Sequence, residues 1–305
     1  EMTSSLVGSE MCIRDRIAWD NDKKQAYGQE TLIPKQLKIE SQTVRAFMSV
    51  NTITKEDHRG QGIFTILGND ALKQVQAQGD CAIVYGMPNQ NSYHGFTTKM
   101  DFTDLGAFPL YLRPLKVSGL IKEYLHQNWL THLMKPADLF TTYRNVKKPA
   151  ELQFTKLTKE NMFLADMFWE AIKDKYPIMI KRTSEYLRYR FIDIPRRKYE
   201  AWYAMKDGKP VAFVIGRVME VAGMQCGMVA DFLFLKPYAR EAKCLLKYLL
   251  RMLQDQGAVL AGCLMQPFAD EAKILRNMGF FVCPKELEPQ PFAVIVRLCG
   301  QATTV

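Results

Sequence analysis

Apolar positions fall into short strand-like runs and longer helical stretches, and the same order of runs occurs twice along the chain. In the first half an apolar strand is expected over residues 46–54, a helix over about 63–78 and a second apolar strand over 81–85. In the second half the matching elements are a strand over 228–235, a helix over 239–256 and a strand over 259–264. Each helix runs into a glycine, Gly79 or Gly257, the residue type that most readily ends a helix. A proline-containing loop and a short helix then lead to Met100-x-Phe102 or Met278-x-Phe280, and a final strand.

The two series lie at an offset of 178: Leu72-x5-Gln78-Gly79 matches Leu250-x5-Gln256-Gly257, and both run 23 residues from glycine to phenylalanine. That period is too long for a solenoid and suits two copies of one domain. Strand, helix of about 16 to 18 residues, strand predicts a right-handed βαβ crossover in each copy.

Antiparallel strands are expected upstream of each crossover, over 29–39 and 43–50 in copy one and over 199–205 and 210–218 in copy two. The second pair is joined by Lys206-Asp207-Gly208-Lys209, where Asp-Gly signals a hairpin. Between the copies, 117–134 reads as an amphipathic helix ending before Pro136, and Lys147-Lys148-Pro149 as a linker. Residues 152–157 then open copy two as a strand, and 161–173 follow as a helix. The expected class is α/β of the α+β type: in each copy a mixed, mostly antiparallel sheet with one crossover and flanking helices.

Composition narrows the class further. The 305 residues are 48% hydrophobic and 24% charged, as in ordinary globular proteins, which excludes a disordered or fibrous chain. No run of about 18 apolar residues occurs, so no membrane-spanning helix is expected. The seven cysteines are scattered without a C-x-x-C pair, which fits reduced thiols in a cytoplasmic chain and gives no zinc site.

Residues 5–16, SLVGSEMCIRDR, have no period and no helix-start signal, and they lack the apolar core of a signal peptide. They resemble the translation of a transposase-type sequencing adapter. Residues 1–16 are therefore expected to be an artefact without a packing role, placed ahead of a first domain (17–116) that lacks its native start. Residues 117–150 are the expected linker helix and loop, and 151–305 the second domain. Without Arg14, Arg16, Glu1, Glu10 and Asp15, the net charge of +9 becomes +10.

The chemistry sits where copy one joins its strand to its helix. His58-Arg59-Gly60-Gln61-Gly62-Ile63 places two glycines at a helix start, where backbone amides and the helix dipole favour phosphate. The turn has no Lys-Ser/Thr pair and no G-x-G-x-x-G, so it is neither a Walker loop nor a Rossmann fingerprint.

Thr52-Ile53-Thr54-x4-Arg59-Gly60-Gln61-Gly62-Ile63 resembles motif A of the GNAT superfamily of N-acetyltransferases, [Q/R]-x-x-G-x-[G/A]. Tyr85-Gly86-Met87-Pro88-Asn89-Gln90-Asn91-Ser92-Tyr93-His94-Gly95-Phe96 resembles the Y-G-F-P-N-x-N-S-x-x-G-F loop of a bacterial branch of that superfamily. The likeness covers about 25–113 and extends more weakly over 151–298, which makes the whole a tandem GNAT chain. One departure is Phe64, where the motif asks for a small residue; its ring is expected to crowd the turn without removing the amides.

The resemblance implies acetyl-CoA as co-substrate, inserted between two splayed strands. The main chain of Thr52, Ile53 and Thr54 would pair with the pantetheine arm, and the amides of Gly60, Gln61, Gly62, Ile63, Phe64 and Thr65 would hold the pyrophosphate. Arg59 would assist the phosphates, and Asn89 and Asn91 would bond the pantetheine. The tyrosine that many members carry as general acid is replaced by Thr97, which leaves Tyr93 and His94 as the nearest acid or base candidates. Glu56 and Asp57 are candidates for binding the substrate amine.

Copy two has Pro237-Tyr238-Ala239-Arg240 in place of the glycine turn. Both glycines are gone and a proline removes one amide, so this copy is expected to have lost the CoA site and to serve as a wall for the substrate cleft or as a dimer or domain contact. Basic and aromatic residues interleave over 181–199, and this pattern reads as a helix with a buried aromatic face and solvated arginines rather than a nucleic-acid surface. The expected activity is acetyl transfer to a primary amine, a small amine or amino sugar. The alternatives are a tRNA-dependent aminoacyl transferase of cell-wall building and a non-catalytic CoA-binding or scaffold protein.

Overall fold

The computed structural model describes residues 14–77, 79, 81–125, 135–141 and 149–300. In chain order the first strands are β1 (Arg14–Asp20), β2 (Gln25–Ile39), β3 (Gln42–Thr54), β4 (Cys81–Gly86), β5 (Thr103–Ala107), β6 (Leu110–Pro114) and β7 (Gln153–Lys156). They are followed by β8 (Ile178–Ile180), β9 (Glu200–Lys206), β10 (Lys209–Val221), β11 (Met224–Phe234), β12 (Leu260–Leu264), β13 (Phe281–Val282) and β14 (Ala293–Leu298). The chain divides into two units, each with its own sheet and core.

The first unit comprises Glu1–Phe108, Tyr176–Lys181 and Gln290–Val305. Its sheet has the order β1-β2-β3-β4-β14-β5, with β8 pairing the end of β2. All neighbours are antiparallel except β3 and β4, which are parallel and joined by helix α1 (Ile63–Ala77), the expected crossover. Residues Leu67, Ala71, Leu72 and Val75 recur at helical spacing on α1 and are buried. Ala71, Leu72 and Val75 share one cluster with Leu32, Phe47 and Val84 of the sheet. Each large apolar side chain buried here contributes about 1.5–3 kcal/mol. Helix α2 (Gln90–Lys99) adds Phe96, and Met100 and Phe102 close the same cluster. Gly68 of α1 lies so near Met100 that a Cβ there would stand 2.4 Å from its sulfur.

The second unit comprises Pro109–Lys175 and Arg182–Pro289, with sheet order β13-β6-β12-β11-β10-β9-β7. The β9–β10 turn places Asp207 at φ 49° and Gly208 at φ 72°, the left-handed pair that a two-residue hairpin requires. The parallel neighbours β11 and β12 are joined by the Ala239–Asp255 helix. Its Leu245, Leu246, Leu249, Leu250 and Leu253 are fully buried, and Met278 and Phe280 repeat the roles of Met100 and Phe102. In both units the crossover helix runs into a left-handed glycine, Gly79 at φ 73° and Gly257 at φ 101°. The tandem reading of the sequence thus has a structural counterpart in two sheets with the same parallel crossover.

The boundaries differ from the sequence expectation. A division into 17–116 and 151–305 would put β6 in the first unit and β14 in the second, whereas the ladders do the reverse. β6 pairs β12 and β13 of the second sheet, and β14 pairs β4 and β5 of the first. Each closing strand carries an arginine that fixes it to the Met-x-Phe turn of its sheet. Arg297 donates to the Met100 carbonyl at 2.5 Å, and Arg113 donates to the Met278 carbonyl. Residues 14–16 also depart from expectation: Arg14, Asp15 and Arg16 pair with Leu32, Thr31 and Glu30 of β2, and Arg16 meets Asp70 of α1 at 2.5 Å. The apolar residues expected to be unpacked, Leu6 to Ile13, lie outside the described residues.

Of the helix expected over 117–134, the described part is α3 (Val117–Leu125); the remainder and most of the linker lie outside the described residues. The aromatic stretch is helical, as Ser184–Leu187 continued by a π-turn over Arg188–Ile192, with Leu187 and Phe191 buried. Among the described residues no helix is long and apolar enough to cross a membrane.

Candidate functional site

The site in the first unit begins with two parallel strands that part. The β3–β4 ladder runs from Arg45 opposite Cys81 to Ser49 opposite Gly86 and stops there. Beyond it β3 continues to Thr54, while the backbone after β4 turns away through Met87-Pro88-Asn89 into α2. Proline at 88 offers no amide with which to extend a ladder. The gap is a cleft of about 190 Å³ lined by Ser49, Val50, Asn51 and Thr52 on one side. Gly86, Met87, Pro88, Asn89, Ser92 and Phe96 line the other.

A bulge shapes the β3 wall. Between the pairs Gln29–Ile53 and Thr31–Val50, two residues of β3, Asn51 and Thr52, stand against one of β2, Glu30. Asn51 takes φ 55°, the left-handed conformation that asparagine tolerates. Glu30 is 2% exposed. It accepts from Ser49 Oγ at 2.6 Å and from Thr52 Oγ1 at 2.5 Å, so both carboxylate oxygens are engaged by residues of the cleft wall. Burial holds the Glu30 carboxyl above its ordinary value, and the two hydroxyl donors oppose part of that shift. Sequence reading missed this residue.

The glycine turn follows β3. Glu56–His58 form one 3-10 turn, Gly60 and Gly62 take φ 79° and 80°, and α1 starts at Ile63. The first bond across this helix start runs from the Ile66 amide to the Gly62 carbonyl at 2.9 Å. The amides of Ile63, Phe64 and Thr65 precede it, as at any helix start. Gly60, Gln61 and Gly62 are exposed, and no atom lies within 4 Å of a Cβ built on Gly60. The turn therefore offers bare backbone to an anion at the positive end of a 15-residue helix. Arg59 beside it is exposed and 3.6 Å from Glu56.

Phe64 does not crowd the turn as the sequence suggests. Its ring points to α2, where a Cβ on Gly95 would lie 2.4 Å from it, and it meets Phe96 edge-on at 5.1 Å. The bulky residue is accommodated by the missing side chain at Gly95.

The remaining candidates separate. Asn89 is the N-cap of α2: its Oδ1 accepts from the Asn91 and Ser92 amides at 3.0 and 3.1 Å, while the residue also lines the cleft. Asn91 is exposed and outside the lining. The Tyr93 hydroxyl donates to Asp104 at 2.5 Å. That bond holds the phenol above its ordinary pKa and the Asp104 carboxyl below its own. His94 is exposed on the same helix, and neither Tyr93 nor His94 lines the cleft. Ser92 is the α2 hydroxyl that does. Glu56 and Asp57 are exposed, and Asp57 pairs with His58 at 2.8 Å.

The second unit has the same parting strands and no comparable turn. Its β11–β12 ladder ends at Val229 opposite Cys263. Residues 236–238 form a 3-10 turn with proline near its start, and no residue from 236 to 240 takes positive φ. The free end of β11 is taken up by side chains. Lys175 Nζ donates to the Phe234 carbonyl and to Glu271, each at 2.7 Å, and Arg182 pairs with Asp231 at 3.2 Å. Among the described residues no cluster of three metal-ligating side chains occurs.

No family model matches the chain, and no curated protein matches it. Solved structures do. Saccharomyces cerevisiae N-myristoyltransferase with bound myristoyl-CoA superposes with a TM-score of 0.66 at 12% identity, over 92% of this chain and 68% of that one. A GCN5-related N-acetyltransferase from Anabaena variabilis gives 0.59 at 11% identity, over 94% of this chain and 63% of that one. This chain thus spans about two thirds of the length of the structures it matches. Two sheets each built around a parallel crossover, with strands that part beside it, give this chain the fold of the N-myristoyltransferase and GCN5-related N-acetyltransferase structures.

Proposed function

We propose that the chain is an acyl-CoA-dependent N-acyltransferase that moves an acetyl group from acetyl-CoA to a primary amine, a small amine or amino sugar. The observation that carries this reading is the cleft between β3 and β4 in the same unit as the bare Gly60–Gly62 turn, with no such turn in the second unit. The residues suit the co-substrate. Exposed amides at a helix start match a pyrophosphate. The polar lining of Ser49, Asn51, Thr52, Asn89 and Ser92 matches an amide-bearing arm and a short acyl group better than a long aliphatic one.

In this reading Gly60 to Thr65 bind the pyrophosphate, with the exposed Arg59 as a counter-charge. The main chain of Thr52, Ile53 and Thr54 aligns the pantetheine as an added strand edge, and an amide of this segment polarises the thioester carbonyl. Acetyl-CoA supplies an activated acyl group that an unprotonated amine attacks directly. Glu30 holds Ser49 and Thr52 in place and takes up the amine's proton through these residues of the cleft wall. Ser92, the α2 hydroxyl in the cleft lining, hydrogen-bonds the leaving thiolate in this reading, in the position expected of Tyr93 or His94.

The experiment is a thiol-release assay with acetyl-CoA against a panel of amines and amino sugars. Amine-dependent release that is lost in Gly62→Val supports the reading. Tight CoA binding without release for any amine supports a binding protein instead.

A further inference from the structure

We propose that Cys81 and Cys299 form a reversible disulfide that fastens the closing strand β14 to β4. Cys81 opens β4 and is 5% exposed, while Cys299 follows the last residue of β14 and is partly exposed. The Cys299 amide donates to the Ala82 carbonyl at 2.9 Å, continuing the antiparallel register in which Leu298 faces Ile83. The β3–β4 ladder skips Ala82, passing from Cys81 to Ile83, and Cys299 packs against the buried cluster that contains Cys81. Two cysteines 218 positions apart in sequence therefore share one contact that only the placement of β14 in the first unit creates.

The surroundings also favour reaction at this pair. The hydrogen bond from Cys81, the charge of Arg297 and the Val84 backbone lower the Cys299 thiol below its ordinary value, against the opposing effect of burial. Burial drives Cys244, Cys263 and Cys283 the other way, Cys263 to about 12. A hydroperoxide is the oxidant. The Cys299 thiolate attacks its O–O bond, forming a sulfenic acid and releasing an alcohol, or water from hydrogen peroxide. The Cys81 thiol then attacks the sulfenic sulfur, forming the S–S bond and expelling water. Overall two thiols and one hydroperoxide give one disulfide, one alcohol and one water; a thiol reductant reverses the step. The link matters for the cleft because Ile295 of β14 packs on Gly86, 3.7 Å from where a Cβ would stand, and Gly86 lines the cleft.

The test is oxidation of the full chain with hydrogen peroxide at low molar excess. It is followed by alkylation without reduction and peptide mapping. The expected result is a Cys81–Cys299 cross-linked peptide as the main oxidised product. Tm should rise by roughly 5 °C or more, a shift reversed by dithiothreitol and absent in Cys299→Ser. In the reduced wild type, Cys299 should also be alkylated faster than Cys244 or Cys283, a readout that needs no variant. A main cross-link between other cysteines, oxidation stopping at sulfinic acid on Cys299, or a Tm unmoved by oxidation would each overturn the proposal.

Discussion

At the scale of single residues, Gly62 and Glu30 decide what the first unit can do. Gly62 sits at φ 80°, where a β-branched side chain is strained by roughly 1–2 kcal/mol and would also stand between the amides and an anion. Gly62→Val is therefore expected to weaken CoA binding at least tenfold in calorimetry, with the Tm lowered by no more than a few degrees. Glu30→Ala leaves the Ser49 and Thr52 hydroxyls without their acceptor and should cost about 1–3 kcal/mol of stability in urea unfolding.

Glu30→Gln has a pH signature. The native carboxyl binds its proton more tightly than its unfolded counterpart, so wild-type stability falls as pH rises from the ordinary carboxylate value of 4.5 through the raised native one. Urea midpoints measured from pH 4 to 7 should show a decline in the wild type that the amide variant lacks. Of these two residues only Gly62 is legible in the sequence, because a glycine pair at a helix start carries its own meaning. Glu30 is one polar residue inside a strand, and its partner Ser49 lies 19 positions away on the next strand, a pairing that no local pattern encodes.

At the scale of elements, α1 and α2 meet through Phe64 and Gly95. The ring that the sequence places in the turn lies instead over a helix position with no Cβ. Gly95→Ala is expected to destabilise by about 1–3 kcal/mol, despite alanine's better helix propensity, because the added methyl meets the ring at 2.4 Å. Phe64→Ala in the same chain should remove most of that penalty, which a double-mutant cycle measures directly. The elements themselves were legible where period and punctuation agree. The helix expected over 63–78 is Ile63–Ala77, and the one expected over 239–256 is Ala239–Asp255. The sheet assignments of β6 and β14 were not, since a five- or six-residue apolar strand pairs equally well with any open edge. Side-chain placement at α2 was not legible for a related reason. Spacing put Tyr93 near the cleft, but Asp104 on β5 holds its hydroxyl.

At the scale of the whole molecule, two units share one architecture and differ at the turn that opens the crossover helix. Gly60 and Gly62 leave backbone amides bare in the first, whereas Pro237 and side chains such as Lys175 close off the corresponding region in the second. The exchange of closing strands makes the chain's last strand part of the first sheet. Truncation after Pro289 should thus expose the edges of β4 and β5 and abolish CoA binding, although every residue lining the cleft is retained. Circular dichroism and calorimetry on the shortened chain would check both effects. The asymmetry between the units is the central claim, and isothermal calorimetry of the intact chain with acetyl-CoA tests it most directly. One mole of ligand bound per mole of chain, with the heat lost in Gly62→Val and retained when Pro237 is replaced by alanine, is the predicted result. Two equivalent sites, or binding that survives Gly62→Val unchanged, would contradict it.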